Sequence, residues 1–275
     1  MRKLLLAASL LACAAAASTA SAETGPIRLA PHRVVYDLSL AKAGGGRGVE
    51  SARGRIVFDF TGDDCDGYAL NYRQVTVLES SESGTKTSDL RTTTFESGDG
   101  RSLRFKTESQ ADSGAPQLLD GTAERDRSLQ IRLKQPKPDM VNLDGEAIFP
   151  TAHMKRLIEV ARAGASTVSV KVFDGSDDGR KVYDTLAVIG RRIGADSVQG
   201  IEAPLRQGEM AAQARWPVTL SYFAPGQGER TPTYVLSFDL YENGVSRGLR
   251  LDYGEFALNG ELTSIELLPP SACQR

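Results

Sequence analysis

Residues 54–79, GRIVFDFTGDDCDGYALNYRQVTVLE, constrain the fold more than any other part of this 275-residue chain. Ile56, Phe58 and Phe60 alternate with Arg55, Val57 and Asp59, the period-2 pattern of a strand with one buried face. Gly62-Asp63-Asp64-Cys65-Asp66-Gly67 supplies a turn, and Tyr68, Leu70 and Tyr72 alternate with polar residues on the return run. Two strands with apolar faces must bury them against more sheet, so the rest of the chain is expected to be mainly β.

The pattern recurs. Val34, Tyr36, Leu38 and Leu40 share one face of a first strand, separated from the next by Gly44-Gly45-Gly46. Ser/Thr-rich alternation around Leu90, Thr92, Thr94, Leu103 and Phe105 predicts two moderately exposed strands joined at residues 96–100. Residues 129–133 are one more short strand, ended by Gln135-Pro136, since proline cannot donate to a ladder. Val168, Val170 and Val172 follow, then strands over residues 182–189 and 216–223. Tyr234, Leu236, Phe238 and Leu240 alternate up to Asn243-Gly244, and Phe256 and Leu258 run up to Asn259-Gly260. Both Asn-Gly pairs predict two-residue hairpin turns, with Ile265 and Leu267 closing the chain. One helix interrupts the pattern. Pro150 and Thr151 mark its start, Met154, Leu157, Ile158 and Ala161 form its stripe, and Gly164 stands at its C-terminus. About a dozen mostly antiparallel strands predict a large curled sheet or open barrel, with the helix covering or plugging one end.

Arg2 and Lys3, an apolar run over residues 4–17 and Ala20-Ser21-Ala22 read as a signal peptide, 1–22. Cys13, after Leu10-Leu11-Ala12, resembles a lipoprotein acylation site. That reading would leave residues 4–9 as the apolar region, shorter than the roughly 7–15 such regions need. The mature chain, 23–275, reads as a single domain without a spanning segment. Its 31 basic and 35 acidic residues give 31 − 35 = −4, the two basic residues of the leader being removed from the 33. A modestly acidic chain without basic tracts excludes nucleic acid as a natural partner. Cys65 and Cys273 are the two cysteines beyond the leader, and in an oxidising compartment a disulfide between them is the default expectation.

Signals for chemistry are sparse. His32 and His153 fit no Gly-x-Ser-x-Gly elbow and no His-Glu-x-x-His spacing, so packing or capping is their expected role. Asp174-Gly175-Ser176-Asp177-Asp178-Gly179 matches the front of a calcium loop, but its twelfth position is Thr185 and β patterns flank it. An acidic hairpin turn is the better reading, and neither metal nor cofactor is expected. The aromatics Tyr36, Phe58, Phe60, Tyr68, Tyr72, Tyr234 and Phe238 occupy strand-facing positions. Most belong to a core, and in a barrel too wide to fill itself some would line an apolar cavity.

Several segments together resemble the EipB-type cell-envelope integrity proteins, a family of alphaproteobacterial periplasmic proteins. These are residues 29–36 (LAPHRVVY), the strand 67–72 after Cys65, Phe149-Pro150-Thr151-Ala152-His153, residues 173–184 (FDGSDDGRKVYD) and Trp216-Pro217-Val218. The resemblance implies an open, spiral β-barrel with an associated helix, similar to the lipoprotein carriers LolA and LolB. It also implies a Cys65–Cys273 disulfide and a role in envelope integrity under stress. The expected partners are then a lipid, a lipoprotein or an envelope protein. An envelope hydrolase working through paired carboxylates is the alternative, and a structural protein with a filled barrel is a third reading.

Overall fold

The computed structural model describes residues 25–42, 48–226, 228 and 230–271. The leader, the Gly44-Gly45-Gly46 turn and Cys273 fall outside them. The elements in chain order are β1 (His32–Lys42), β2 (Val49–Asp63), β3 (Gly67–Ser80), β4 (Gly84–Glu96), β5 (Ser102–Ala111), β6 (Gln117–Arg125) and β7 (Ser128–Gln135). Then come β8 (Asp139–Asp144), α1 (Pro150–Arg162), β9 (Thr167–Val172), β10 (Tyr183–Ile189), β11 (Arg215–Phe223), β12 (Tyr234–Tyr241), β13 (Ser246–Asp252) and β14 (Ala257–Leu267).

All these strands form one sheet in the order β8-β7-β6-β5-β4-β3-β2-β1-β14-β13-β12-β11-β10-β9. Each neighbouring pair is antiparallel. The first and last strands meet in the middle, where β1 pairs β14, and two meanders run outward from that seam. The end strands β8 and β9 form no ladder with each other. Ile148, just past β8, makes a single parallel bridge to Val172 of β9, so the sheet curls until its ends approach without closing.

The period of two then decides which residues face inward. Val34 stands beside Phe58, Phe58 beside Tyr72, Tyr72 beside Thr92, and Thr92 beside Thr107. On the other arm Leu249 stands beside Gly260, Leu251 beside Leu236, and Leu236 beside Leu220. This continuous inner face carries three buried clusters. One packs α1, through Leu157, Ile158 and Ala161, against Phe60, Trp216, Val218 and Phe238. A second surrounds Tyr36, Leu38 and Leu258 and takes in Ile201, Leu205 and Met210 from the long connection between β10 and β11. The third joins Leu103, Phe105 and Ile131 to Phe149 and Phe173.

The helix is capped from across the sheet. Its N-cap, Phe149, offers no side-chain acceptor, and Gly164 (φ +73°) follows its C-cap, Ala163. Glu96 of β4 fills the gap at the N-terminus: its carboxylate accepts the N–H groups of Thr151 (2.7 Å) and Ala152 (3.0 Å). Burial pushes the Glu96 pKa up, and these two N–H bonds pull it back. Replacing Glu96 by alanine leaves two helix N–H donors without an acceptor, so a loss of about 2–3 kcal/mol in urea unfolding is expected. An unchanged midpoint would show that the cap contributes nothing.

Two sequence expectations change, and two strands go unannounced by the sequence pattern. Asn259-Gly260 is no turn but lies inside β14, where Gly260 faces Leu249 of β13; a Cβ there would stand 3.1 Å from that of Leu249. The reversal falls earlier, around Gly254 (φ +83°). Asn243-Gly244 does turn the chain, but within a wider loop in which the Tyr241 N–H donates to the Val245 carbonyl at 2.8 Å. Strands β6 and β8 give no clear sequence signal, and on β6 the inward positions Gly121 and Ala123 are too small to register as an apolar face.

Candidate functional site

The inner face is not filled. A cavity of about 430 Å³ opens where β3, β4 and β5 face the β9–β10 loop and the start of α1. Its lining includes Leu70 and Tyr72 on β3, Leu90, Thr92 and Thr94 on β4, and Thr107 and Ser109 on β5. Pro150, Asp174, Ser176 and Asp177 complete it. A smaller apolar chamber of about 120 Å³ adjoins it and shares Leu70, Thr94 and Pro150. Leu29, His32, Phe58, Phe60, Tyr68 and Met154 are among its walls.

The polar wall comes from two sources. The alternation of β4 and β5 points Thr92, Thr94 and Thr107 inward, and Thr92 and Thr107 hydrogen-bond at 3.2 Å across the two strands. The β9–β10 loop then folds in as a lid. Phe173 stacks edge-on to Phe105 (5.6 Å) and Phe149 (6.3 Å), and Gly175 rests against the Phe105 ring. That anchoring sets Asp174 against the cavity, where its carboxylate accepts the Ser176 N–H at 2.9 Å. Burial pushes the Asp174 pKa up. Burial raises the Asp177 pKa as well, but Lys181, at 2.8 Å, and the Tyr183 hydroxyl hold it below the usual value.

Beyond the loop an aromatic chain runs from Tyr183 through Tyr222, Tyr234 and Tyr253 to Phe256, with neighbouring centroids 5.0–6.0 Å apart. Burial raises the phenol pKa of Tyr222, Tyr234 and Tyr253, keeping them neutral hydrogen-bonding groups. Tyr72 donates to Gln74 at 2.5 Å.

Of the aromatics marked by sequence, Phe58, Phe60 and Tyr68 line the smaller chamber, Tyr72 lines the larger, and Tyr234 joins the aromatic chain. Tyr36 and Phe238 are core. His32, 3% exposed, stacks on Phe58 at 5.4 Å with Nδ1 2.6 Å from the Ala30 carbonyl, and burial lowers its pKa. His153 is buried on α1. The Asp174–Gly179 segment connects two paired strands, β9 and β10, as a hairpin loop. Among the described residues no three His, Cys, Asp or Glu side chains gather as a metal site. The hydroxyl wall of Thr92, Thr94, Thr107 and Ser109 was missed because polar alternation on a strand ordinarily marks an outward face.

A single curled antiparallel sheet with one helix and an incompletely filled interior defines an open β-barrel with an internal cavity. A family model for EipB-like proteins matches residues 23–269, and the chain belongs to that family. It is 36% identical over 256 residues to the cell envelope integrity protein EipB of Brucella abortus, a match that covers 92% of this chain and 88% of that protein. A crystal structure of a β-barrel-like protein of a domain of unknown function, also from Brucella abortus, superposes with a TM-score of 0.81 at 34% identity. That superposition spans 88% of this chain and all of the other. Among the described residues no helix is long and apolar enough to cross a membrane.

Proposed function

We propose that this chain is a non-enzymatic periplasmic protein that supports cell-envelope integrity by holding a lipid, a lipoprotein or an envelope protein in its open barrel. The observation that carries this reading is the pair of adjoining chambers on the inner face. A barrel filled by its own side chains would lack them. The relationship to a protein named for envelope integrity supports the role. Native mass spectrometry of protein taken from a bacterial periplasm without detergent tests it. The expected result is a discrete excess mass that disappears on organic extraction and is recovered as lipid or acylated peptide. A bare polypeptide mass would count against a tightly held ligand.

The same spectrum addresses the Cys65–Cys273 disulfide, which belongs to this proposal. Ser271 donates to Asp63 at 2.6 Å, and Asp63 also accepts the Cys65 N–H at 2.7 Å, so the C-terminal segment reaches the turn that carries Cys65. Paired cysteines would leave the chain two hydrogens lighter than its reduced mass.

One observation favours the hydrolase alternative: Asp174 and Asp177 share a cavity wall, with pKa values displaced in opposite directions. Asp177, however, is engaged by Lys181 and Tyr183. A hydrolase would turn over envelope glycan or peptide and lose that turnover in Asp174→Asn and Asp177→Asn, whereas on the reading proposed here the wild-type protein releases no product from either.

A further inference from the structure

We infer that the larger chamber receives an uncharged, hydroxyl-bearing headgroup whose apolar tail enters the smaller chamber, and that anionic amphiphiles are rejected. This rests on the reading of the barrel as a ligand holder and names the chemistry of the occupant. Size is the first argument, because about 430 Å³ falls within the roughly 300–1,000 Å³ of small-molecule sites. The joined apolar chamber, walled by Phe58, Phe60 and Met154, extends that space without adding charge.

Charge is the second argument. Among the described residues, neither chamber is lined by a lysine or arginine. The larger one presents two carboxyl groups, Asp174 and Asp177, and the nearby Lys181 is already bonded to Asp177. A carboxylate or phosphate placed there would be stripped of water and find no free counter-ion, and an ammonium would be stripped of water and meet Asp177 already paired with Lys181. The basic side chain among the walls of the smaller chamber, His32, is held neutral by burial.

Hydrogen-bonding capacity is the third argument. Thr92, Thr94, Thr107 and Ser109 each both donate and accept, which matches the hydroxyls of a sugar or polyol. Asp174 adds a carboxyl group to that wall, and burial pushes its pKa up. Tyr72 offers the aromatic surface on which an apolar sugar face can lie.

Titration calorimetry with three amphiphiles of matched tail tests the inference: n-octyl glucoside, octanoate and octyltrimethylammonium, each below its micelle concentration. The glucoside is expected to bind at least about tenfold more tightly than either charged ligand. Leu90→Trp and, separately, Ser109→Trp fill the chamber and are expected to weaken glucoside binding about tenfold or more, with unchanged circular dichroism. Octanoate binding as tightly as the glucoside, or the ammonium binding most tightly, would overturn the headgroup assignment while leaving the barrel a ligand holder. A folded tryptophan variant that binds the glucoside normally would place the site elsewhere. No binding by any of the three would overturn this inference, and the native mass measurement would then decide separately whether the barrel holds a ligand.

Discussion

Replacing Phe173 by alanine is expected to cost about 3–5 kcal/mol, the range for deleting a buried aromatic ring. Phe173 is 0% exposed and meets Phe105 and Phe149 edge-on. Its backbone N–H also donates to the Ile148 carbonyl at 3.0 Å, beside the Ile148–Val172 bridge that brings the two ends of the sheet together. The ring therefore ties three separate pieces to one another: β5, the entry to α1, and the loop that lids the larger chamber. The surroundings belong to different elements and cannot collapse as a unit, which places the cost in the upper part of that range. Phe173→Leu keeps most of the volume and is expected to lose less than about 1.5 kcal/mol. Trp216, 2% exposed and the single tryptophan of the chain, reports unfolding in urea. The alanine variant should show a lower midpoint at unchanged slope. A loss below about 1 kcal/mol would mean that the loop is held by something other than this ring.

That anchor also explains how far the sequence could be read. Period-two patterns were visible wherever the inward side chains are large and apolar, as at Tyr234, Leu236, Phe238 and Leu240 of β12. They failed where the inner face departs from that rule. On β6 the inward position Gly121 is small because Phe105 lies over it, and a Cβ there would come within 2.6 Å of that ring, while the next inward position, Ala123, stands beside Leu103. On β4 the inward threonines read as surface residues, since nothing local says that a polar face looks into a cavity. At Asn259-Gly260 a strong local hairpin signal lost to tertiary packing, the glycine being needed beneath Leu249 and Leu38. The candidate site divides along the same line. Its aromatic half (Phe58, Phe60, Tyr68 and Tyr72) was legible as strand-facing rings. Its hydroxyl half was not, and the Asp174–Gly179 segment was legible as a turn but not as an inward one. Its direction is set by Phe173, Gly175 and Gly179 against Phe105, Leu119 and Leu133, contacts between residues far apart in sequence.

Acidification should destabilise the protein by about 3 kcal/mol through His153 alone. The ring is 4% exposed on α1, its Nε2 has no hydrogen-bond partner among the described residues, and burial pushes its pKa down from 6.5 to about 4. Above pH 6.5 the imidazole is neutral in both folded and unfolded chains, and stability is unaffected. Between pH 6.5 and about 4 the unfolded chain binds a proton that the folded chain refuses, so stability falls as pH falls, by about 1.4 kcal/mol per unit. Below about pH 4 the folded form takes the proton too, and this contribution levels off. His32, also lowered by burial, pushes in the same direction. Glu96 and Asp174, raised by burial, push the other way: protonating them in the native state favours folding as pH drops toward 4. Carboxylates held low by arginine or lysine, such as Asp89 and Asp184, lose their contribution only below their ordinary pKa of 3.8 and act outside this window. The raw pH profile therefore mixes signs, and the difference between wild type and His153→Phe isolates the histidine. Phenylalanine fills the same pocket without titrating, so the stability of the variant relative to wild type should rise by about 3 kcal/mol between pH 7 and pH 4. Urea midpoints measured at half-unit steps would show this as two diverging curves. Parallel curves would mean that the ring takes up its proton without leaving its place in the helix.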